Sequence, residues 1–380
     1  MSWFFGNRLA ERRDVVVVTV NHRLNVFGYL HLENLAGPQF ADAGMLDCVE
    51  ALRWIKANIA AFGGAPASVT LFGQSGGGSK VSTLMGMPSA AGLFHRAVAM
   101  SGNAVRAVRP ENAARQTRLL MDKLGLQASQ VDQLMTLPME RLIQASLGVP
   151  GAGSGPVAGG AAYPAAAFGR SAPQMSADVP MLIGSTTTEV TFFANTPLDP
   201  IDDATLRQDL KTYTAVSDPD VERLIALYRG SRPDADNTLI YQLIASDWWL
   251  TVDQAAQAER KTALGRAPAY LYHFEKPTPV HGGKLRVPHT EDIPYMFDTL
   301  AAAASIAGPG NQALADRMSA ALVAFARTGN PNTPGLPRWE PYRAASRAVM
   351  TFNDTCALTH DPNSAERRLV RELKDKQEAV

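Results

Sequence analysis

Ser75 lies among glycines in a short stretch that could carry a nucleophile. Residues 72–78 read FGQSGGG and directly follow the apolar run SVTLF. The segment GQSGG fits G-x-S-x-G, the pattern of a serine held on a tight turn between a strand and a helix. Small neighbours let the chain fold back there with a strained backbone conformation. The pattern predicts that Ser75 is a nucleophile and that the Gly76 N–H stabilises an oxyanion.

A serine nucleophile needs a histidine base, and four histidines follow Ser75 at a useful distance: His273, His281, His289 and His360. His273 falls inside a predicted strand, and His360 comes after the last one. His281 and His289 share a loop after a strand, where enzymes of this type carry their histidine. An apparent helix start behind His289 would fix its ring, so the residues favour His289 and leave His281 as the alternative.

A carboxylate is also expected, because it would orient the histidine and stabilise its imidazolium form. In the chain order serine, acid, histidine it belongs after the predicted strand VPMLIG. Glu189 is the first carboxylate after that strand, and Asp199 is the alternative. The alternative interpretation of Glu189 is an exposed loop glutamate without a catalytic role.

Other chemistries find little support. The stretch GQSGGGSK nearly spells a phosphate-binding loop, but Lys80 comes one position too late. The chain has no G-x-G-x-x-G after a strand and no H-E-x-x-H. Its two cysteines, Cys48 and Cys356, indicate neither a disulfide framework nor a paired-cysteine metal site. We therefore expect no nucleotide, metal or other cofactor.

The composition of the chain argues against some classes of binding partner. Lys and Arg number 36, Asp and Glu also number 36, and 46% of residues are hydrophobic. A balanced charge gives no long-range field for nucleic acid, and the longest apolar runs are too short to span a membrane. The compartment is not encoded: it is cytoplasmic by default, or secreted or periplasmic if a signal peptide preceded Met1. The oligomeric state is also open.

The sequence predicts that alternating strands and helices position these candidate residues. Helices are predicted over 45–62, over 79–85 and around 314–325. Strands are predicted over 14–22, 68–73, 96–101, 179–185, 269–274 and 348–352. Because each strand is a nearly continuous apolar run, we expect an α/β fold with a mostly parallel sheet. We predict a single domain over 1–380, with a cap-like helical insertion over 195–265 and an irregular loop over 151–169.

Several longer segments in the same order resemble the type-B carboxylesterase and cholinesterase-like family of α/β-hydrolases. The segments are DVVVVTVNHRLNVFGYL, GMLDCVEALRWIKANIAAFGGAPASVTLFGQSGGG, GLFHRAVAMSG, SADVPMLIGSTTTEVTFF, PHTEDIPYMF, and FARTGNPN with LPRWEPY. The resemblance implies an α/β-hydrolase fold and a triad of Ser75, Glu189 and His289, which sets aside His281 and Asp199. It also implies that Gln74 and Ser101 support the triad as its neighbours.

The chain departs from the family pattern in two ways. The family usually carries glutamate before the serine and alanine after it, where this chain has Gln74 and Gly76. The family also carries a Gly-Gly-rich oxyanion loop after an earlier strand, and no such loop precedes residue 14. We therefore expect that the family's N-terminal strands are missing, either because Met1 is an internal start or because the N-terminal part was lost, and that catalysis is weakened.

The function expected from this resemblance is hydrolysis of small-molecule carboxylic esters through an acyl-enzyme intermediate, without a cofactor. One alternative is a cholinesterase-like binding protein that has lost catalysis. Another is an amidase, thioesterase or lipase of the same fold. Within the predicted insertion, Trp248 and Trp249 are expected to pack in the core, and lining a pocket is the alternative.

Overall fold

One six-stranded sheet forms the centre of the computed structural model, which describes residues 2–378. The strands are β1 (Thr70–Gln74), β2 (Arg96–Met100), β3 (Met181–Thr186), β4 (Ala269–Phe274), β5 (Ala348–Phe352) and β6 (Ala357–His360). Their order in the sheet is the order in the chain. β1 to β5 are parallel, and β6 pairs antiparallel with β5. The predicted, mostly parallel sheet is confirmed, and β6 is a strand that the sequence did not suggest.

Helices cover the sheet and build the regions beside it. They are α1 (Asn7–Arg13), α2 (Asn25–Tyr29), α3 (Glu33–Ala36), α4 (Ala43–Asn58), α5 (Gly76–Leu84), α6 (Pro110–Leu124), α7 (Met139–Leu147), α8 (Asp203–Thr214), α9 (Asp218–Ser231), α10 (Asn237–Ser246), α11 (Val252–Thr262), α12 (Ile293–Met296), α13 (Ala304–Ala307), α14 (Gln312–Thr328) and α15 (Ser364–Glu378). Between residues 2 and 378, no helix is long and apolar enough to cross a membrane.

The strands β2 to β5 are buried on both faces, which explains their continuous apolar runs. Along β2, Ala97 and Ala99 join a core cluster that contains side chains of α4, α5 and α11. Val98 and Met100, which point to the opposite face, join a second cluster with α12 and α14. The sheet is therefore a middle layer between two helical layers.

The predicted strand over 14–22 is wrong. Residues 14–24 form no helix or strand, and no backbone hydrogen bond is found for residues 15–22 in the described structure. Val16 and Val20 are each almost half exposed. A β-branched run becomes a strand only when a neighbouring strand accepts its hydrogen bonds, and the sheet ends at β1 on one side.

The region over 195–265 is helical, as expected. It contains α8, α9, α10 and α11, with one turn of π-helix over Asp247–Thr251 between the last two. Side chains of α8, α9 and α10 share a core cluster with α15 at the end of the chain. Whether this region is an insertion into a single domain over 1–380 stays a prediction.

Candidate active site

Ser75 lies between the end of β1 and the start of α5, in the strand–turn–helix context that its motif requires. Its backbone has φ 57° and ψ −125°, a region that a residue with a side chain rarely occupies. The Ser75 N–H donates to the carbonyl of Met100 at the end of β2, with an N···O distance of 2.9 Å. Strain of this kind persists only when the surrounding structure enforces it, and it is typical of functional sites.

Three glycines make this turn possible, and they are not the immediate neighbours of Ser75. A Cβ atom on Gly73 would lie under 3.0 Å from the Gly77 carbonyl group. A Cβ on Gly78 would meet the Met100 carbonyl oxygen equally closely, and one on Gly102 would meet the Ser75 carbonyl oxygen. Gly76 and Gly77 have room for a side chain. The backbone crossing therefore requires glycine at 73, 78 and 102.

Glu189 begins the 3₁₀ turn that follows β3, and its side chain is fully buried. One carboxylate oxygen, Oε1, accepts from Ser101 Oγ at 2.7 Å and from the Thr186 N–H at 2.8 Å. The other, Oε2, lies 2.5 Å from His289 Nδ1. Since an ionised carboxylate only accepts, the His289 proton lies on Nδ1 in the neutral ring. This leaves Nε2 of His289 as an acceptor.

The Nε2 atom of His289 lies 2.9 Å from the side-chain nitrogen of Gln74, the residue before Ser75. His289 itself is 2% exposed. Ser75 Oγ makes no hydrogen bond to the described residues 2–378 in this conformation. The structure therefore brings Gln74, Ser101, Glu189 and His289 into one hydrogen-bonded chain, with Ser75 at its end through the backbone.

The alternative residues lie elsewhere. Asp199 is on the surface and pairs with Lys284 at 2.6 Å. His281 lies in a short 3₁₀ segment with a φ of 52°. His360 is exposed on β6 and contacts Glu340.

His273 forms a second serine–histidine pair that differs from the first. Its Nδ1 lies 3.0 Å from Ser185 Oγ, and both residues line a cavity of about 70 Å³ on the α11 side of the sheet. Burial lowers the pKa of His273 to about 4. A base needs a pKa near the working pH, so this pair is poorly suited to proton transfer in neutral solution.

Three aromatic rings surround His289, and the sequence analysis did not assign them to the site. The ring of Trp249 lies 5.1 Å from the His289 ring, that of Phe193 lies 5.8 Å away, and that of Phe192 lies 6.1 Å away. Phe192 and Phe193 are about two-fifths exposed. The expectation that Trp249 packs only in the core is therefore incomplete. The signal was present, since both phenylalanines closely follow Glu189 in the segment EVTFF.

Two further acids lie behind His289 on the segment that leads into α12. Asp292 accepts from Tyr272 at 2.5 Å, and burial raises its pKa to about 6. Glu291 is fully buried, and neither carboxylate oxygen finds a hydrogen-bond partner among the described residues. Burial, with the nearby Asp292, raises the pKa of Glu291 to about 10. Glu291 is therefore neutral at physiological pH.

The site contains no obvious ligand set for a metal ion. Within residues 2–378, no group of three or more histidine, cysteine, aspartate or glutamate side chains could hold one. The side chains described above can transfer protons and attack an electrophilic carbon.

A strained serine at the end of a parallel strand, with a buried carboxylate–histidine pair beside it, defines a candidate serine hydrolase site. The Carboxylesterase family matches residues 1–370 of the sequence. The chain belongs to this family, and it is a carboxylic-ester hydrolase.

Relatives and solved structures agree with this assignment. The chain is 30% identical to the para-nitrobenzyl esterase of Bacillus subtilis (strain 168) over 96% of its own length and 74% of that protein. It is also 30% identical to the phenmedipham hydrolase of Pseudarthrobacter oxydans, over 91% of its own length and 70% of that protein. A crystal structure of a Geobacillus stearothermophilus carboxylesterase matches 97% of this chain and 78% of its own, with a TM-score of 0.82 and 32% identity. The fold is therefore the α/β-hydrolase fold.

Proposed function

We propose that this chain hydrolyses carboxylic esters through an acyl-enzyme on Ser75, with His289 as the base and Glu189 as the acid of a catalytic triad. The observation that carries the proposal is the buried contact between Glu189 Oε2 and His289 Nδ1. It fixes the ring so that Nε2 can accept a proton, beside the strained turn that carries Ser75. The two hydrogen bonds from Ser101 and Thr186 hold the carboxylate in place.

The reaction follows from these positions. Ser75 Oγ attacks the ester carbonyl while Nε2 of His289 takes its proton, and Glu189 stabilises the imidazolium that forms. His289 then gives the proton to the departing alcohol. Water attacks the acyl-enzyme by the same path in reverse and releases the acid.

We assign the binding of the reaction's oxyanion to the N–H groups at the start of α5. Gly76 is the first residue of that helix, and the first N–H groups of a helix have no partner within it. They also lie at the positive end of the helix dipole, which favours a developing negative charge. The sequence resemblance implies a second source of donors, a Gly-Gly-rich loop, and residues 1–13 contain no such loop. We therefore propose that the Gly76 N–H is the oxyanion donor that these residues supply.

The activities named for the relatives and the aromatic side chains near His289 indicate a substrate class. Because one relative is a para-nitrobenzyl esterase, a para-nitrobenzyl ester is a suitable first substrate. The exposed faces of Phe192 and Phe193 would offer apolar contact to its ring. Amide, thioester and long-chain ester substrates in the same assay would identify an amidase, thioesterase or lipase activity.

The deciding experiment is covalent labelling of the purified chain with a fluorophosphonate probe, together with ester turnover. We expect stoichiometric labelling that vanishes in Ser75→Ala, while the matched variant Ser79→Ala, four residues along α5, still labels. Mass spectrometry of the labelled peptide identifies the site.

Two outcomes would contradict the proposal. Labelling that persists in Ser75→Ala would mean that another residue is the nucleophile. A folded wild-type protein that does not label would favour the alternative of a cholinesterase-like binding protein without catalysis.

A further inference from the structure

The contact between Gln74 and His289 has a direct bearing on the base. Gln74 is the last residue of β1, and its side-chain nitrogen lies 2.9 Å from Nε2 of His289. Because Glu189 binds the Nδ1 side of the ring, Nε2 of the neutral imidazole carries a lone pair. An amide N–H donates to that lone pair. Nε2 is the same atom that must take the Ser75 proton in the proposed reaction.

We propose that Gln74 is a positioning residue of the hydrolytic reaction, whose amide N–H binds the unprotonated Nε2 of His289 and so favours the neutral ring until Ser75 Oγ takes its place. This inference rests on the proposed function. A hydrogen bond to the neutral form of a titratable group disfavours its charged form. Gln74 therefore moves the acid limb of the pH profile to lower pH, and the amide must release Nε2 before Ser75 transfers its proton.

The amide also suits the next step of the reaction. When Ser75 transfers its proton, Nε2 becomes a donor and the amide N–H can no longer bind it. Rotation of the amide by a half turn presents its oxygen, which accepts from Nε2–H. Glutamine can thus bind either protonation state, whereas a glutamate would bind only the imidazolium. This distinguishes the chain from the usual family pattern, which has glutamate at this position.

The remaining charged groups around His289 do not supply the same effect. Among the described residues, Glu189 faces Nδ1 from the turn after β3, and Asp292 faces the ring from its own segment. The other neighbours, Phe192, Phe193 and Trp249, are uncharged rings. Gln74 is therefore the side chain that acts on Nε2, and its replacement leaves the Nδ1 side intact.

The test is the pH dependence of fluorophosphonate labelling in Gln74→Glu and Gln74→Met. In Gln74→Glu, a carboxylate beside the ring favours the imidazolium, so the acid limb should move up by about 1–3 pH units. In Gln74→Met, the hydrogen bond is lost at similar side-chain size, and the limb should move the same way by up to about 1 unit. The control Gln133→Glu adds the same charge at an exposed position and should leave the limb unchanged.

A second readout needs no catalysis. NMR of histidine-labelled Ser75→Ala protein follows the titration of His289 directly, with and without Gln74→Glu, and the midpoint should rise on substitution. If the acid limb of labelling and the titration midpoint of His289 stay in place or move to lower pH in Gln74→Glu, the proposed role of Gln74 is wrong. If Gln74→Glu does not fold, Gln74→Met decides by the same criterion. Failure of the proposed function would show separately, as labelling that survives Ser75→Ala.

Discussion

Glu189 shows how a buried carboxylate can be held in one orientation by its hydrogen-bond partners. Its oxygens receive three partners: the Ser101 hydroxyl, the Thr186 N–H and His289. Burial of a charge without such partners is costly, because the lost hydration is not replaced. A carboxylate held by three donors cannot rotate without breaking them, so it holds the ring of His289 in one orientation.

Glu291, two residues after His289, is the opposite case. It is buried without a hydrogen-bond partner among the described residues, and its pKa is raised to about 10. In the unfolded chain a glutamate has a pKa of about 4.3. Between these values the unfolded state binds fewer protons than the native state, so the free energy of unfolding falls as pH rises.

We therefore predict that Glu291→Gln gains stability over the wild type as pH increases from about 5 to about 9. The difference should grow by up to about 1.4 kcal/mol per pH unit, because the glutamine has no proton to lose. Urea unfolding at a series of pH values measures it. Glu50→Gln, at an exposed position of α4, is the control, and a constant difference for Glu291→Gln would contradict the prediction.

At the residue scale, the sequence predicted which residues meet but not all of their contacts. The pairing of Glu189 with His289 was expected, because parallel strands bring the loops after β3 and β4 to the same edge of the sheet. Gln74 was expected beside the triad, but its contact with Nε2 of His289 was not, since alternate residues of a strand point to opposite faces and the twist at Ser75 redirects the chain. Among the three rings around His289, that of Trp249 lies on the π-helical turn, which no local sequence pattern predicts.

The turn between β1 and α5 is the element on which the site depends. Two backbone segments cross at this turn, so an added methyl group is tolerated at some of its glycines and not at others. Gly102 follows β2, and a Cβ there would overlap the Ser75 carbonyl oxygen and crowd the Ser79 nitrogen. Gly77 faces open space within the first turn of α5.

We predict that Gly102→Ala destabilises the protein and abolishes Ser75 labelling, because the clash involves backbone that cannot move aside. Gly77→Ala, the matched control, should raise the free energy of unfolding by about 0.5–1 kcal/mol, since alanine is the better helix former. Thermal unfolding followed by circular dichroism compares the two. Equal stability of Gly102→Ala and Gly77→Ala would show that the turn accommodates a Cβ atom at residue 102.

At the element scale, prediction succeeded where burial alone determines the structure. β1 to β5 were recognised because a strand covered on both faces must be apolar throughout. The run over 14–22 has the same apolar composition but forms no strand. Composition alone therefore does not reveal whether a partner strand lies alongside. β6 was missed because its residues are only partly buried and follow no alternating pattern.

An exposed apolar segment lies next to the core at residues 15–20. Val15 and Val17 contact the cluster on one face of the sheet and Val18 the cluster on the other, whereas Val16 and Val20 point outward. Leu71 and Phe72 of β1 pack against the same two clusters, and no strand within residues 2–378 pairs with the outer side of β1. An unpaired edge together with exposed valines favours association between molecules.

We predict that Val20→Lys reduces self-association without loss of stability, because a charge at the edge opposes strand pairing. Light scattering over a range of protein concentrations measures association, and the melting temperature serves as the check on folding. Leu147→Lys changes a more exposed residue at the end of α7 and should have little effect. If both lysines act alike, general solubility rather than this edge is responsible.

The identical order of the strands in the chain and in the sheet has a consequence for biosynthesis. As the ribosome releases the polypeptide, each new strand from β2 to β6 can add to the free side of the previous one. Ser75 and its turn can therefore form early, followed by Glu189, while His289 emerges only after roughly 10–40 s of further translation at about 5–20 residues per second. In the proposed mechanism the nascent Ser75 has no base during that interval, so the growing chain would acquire hydrolytic activity only when most of its fold has formed.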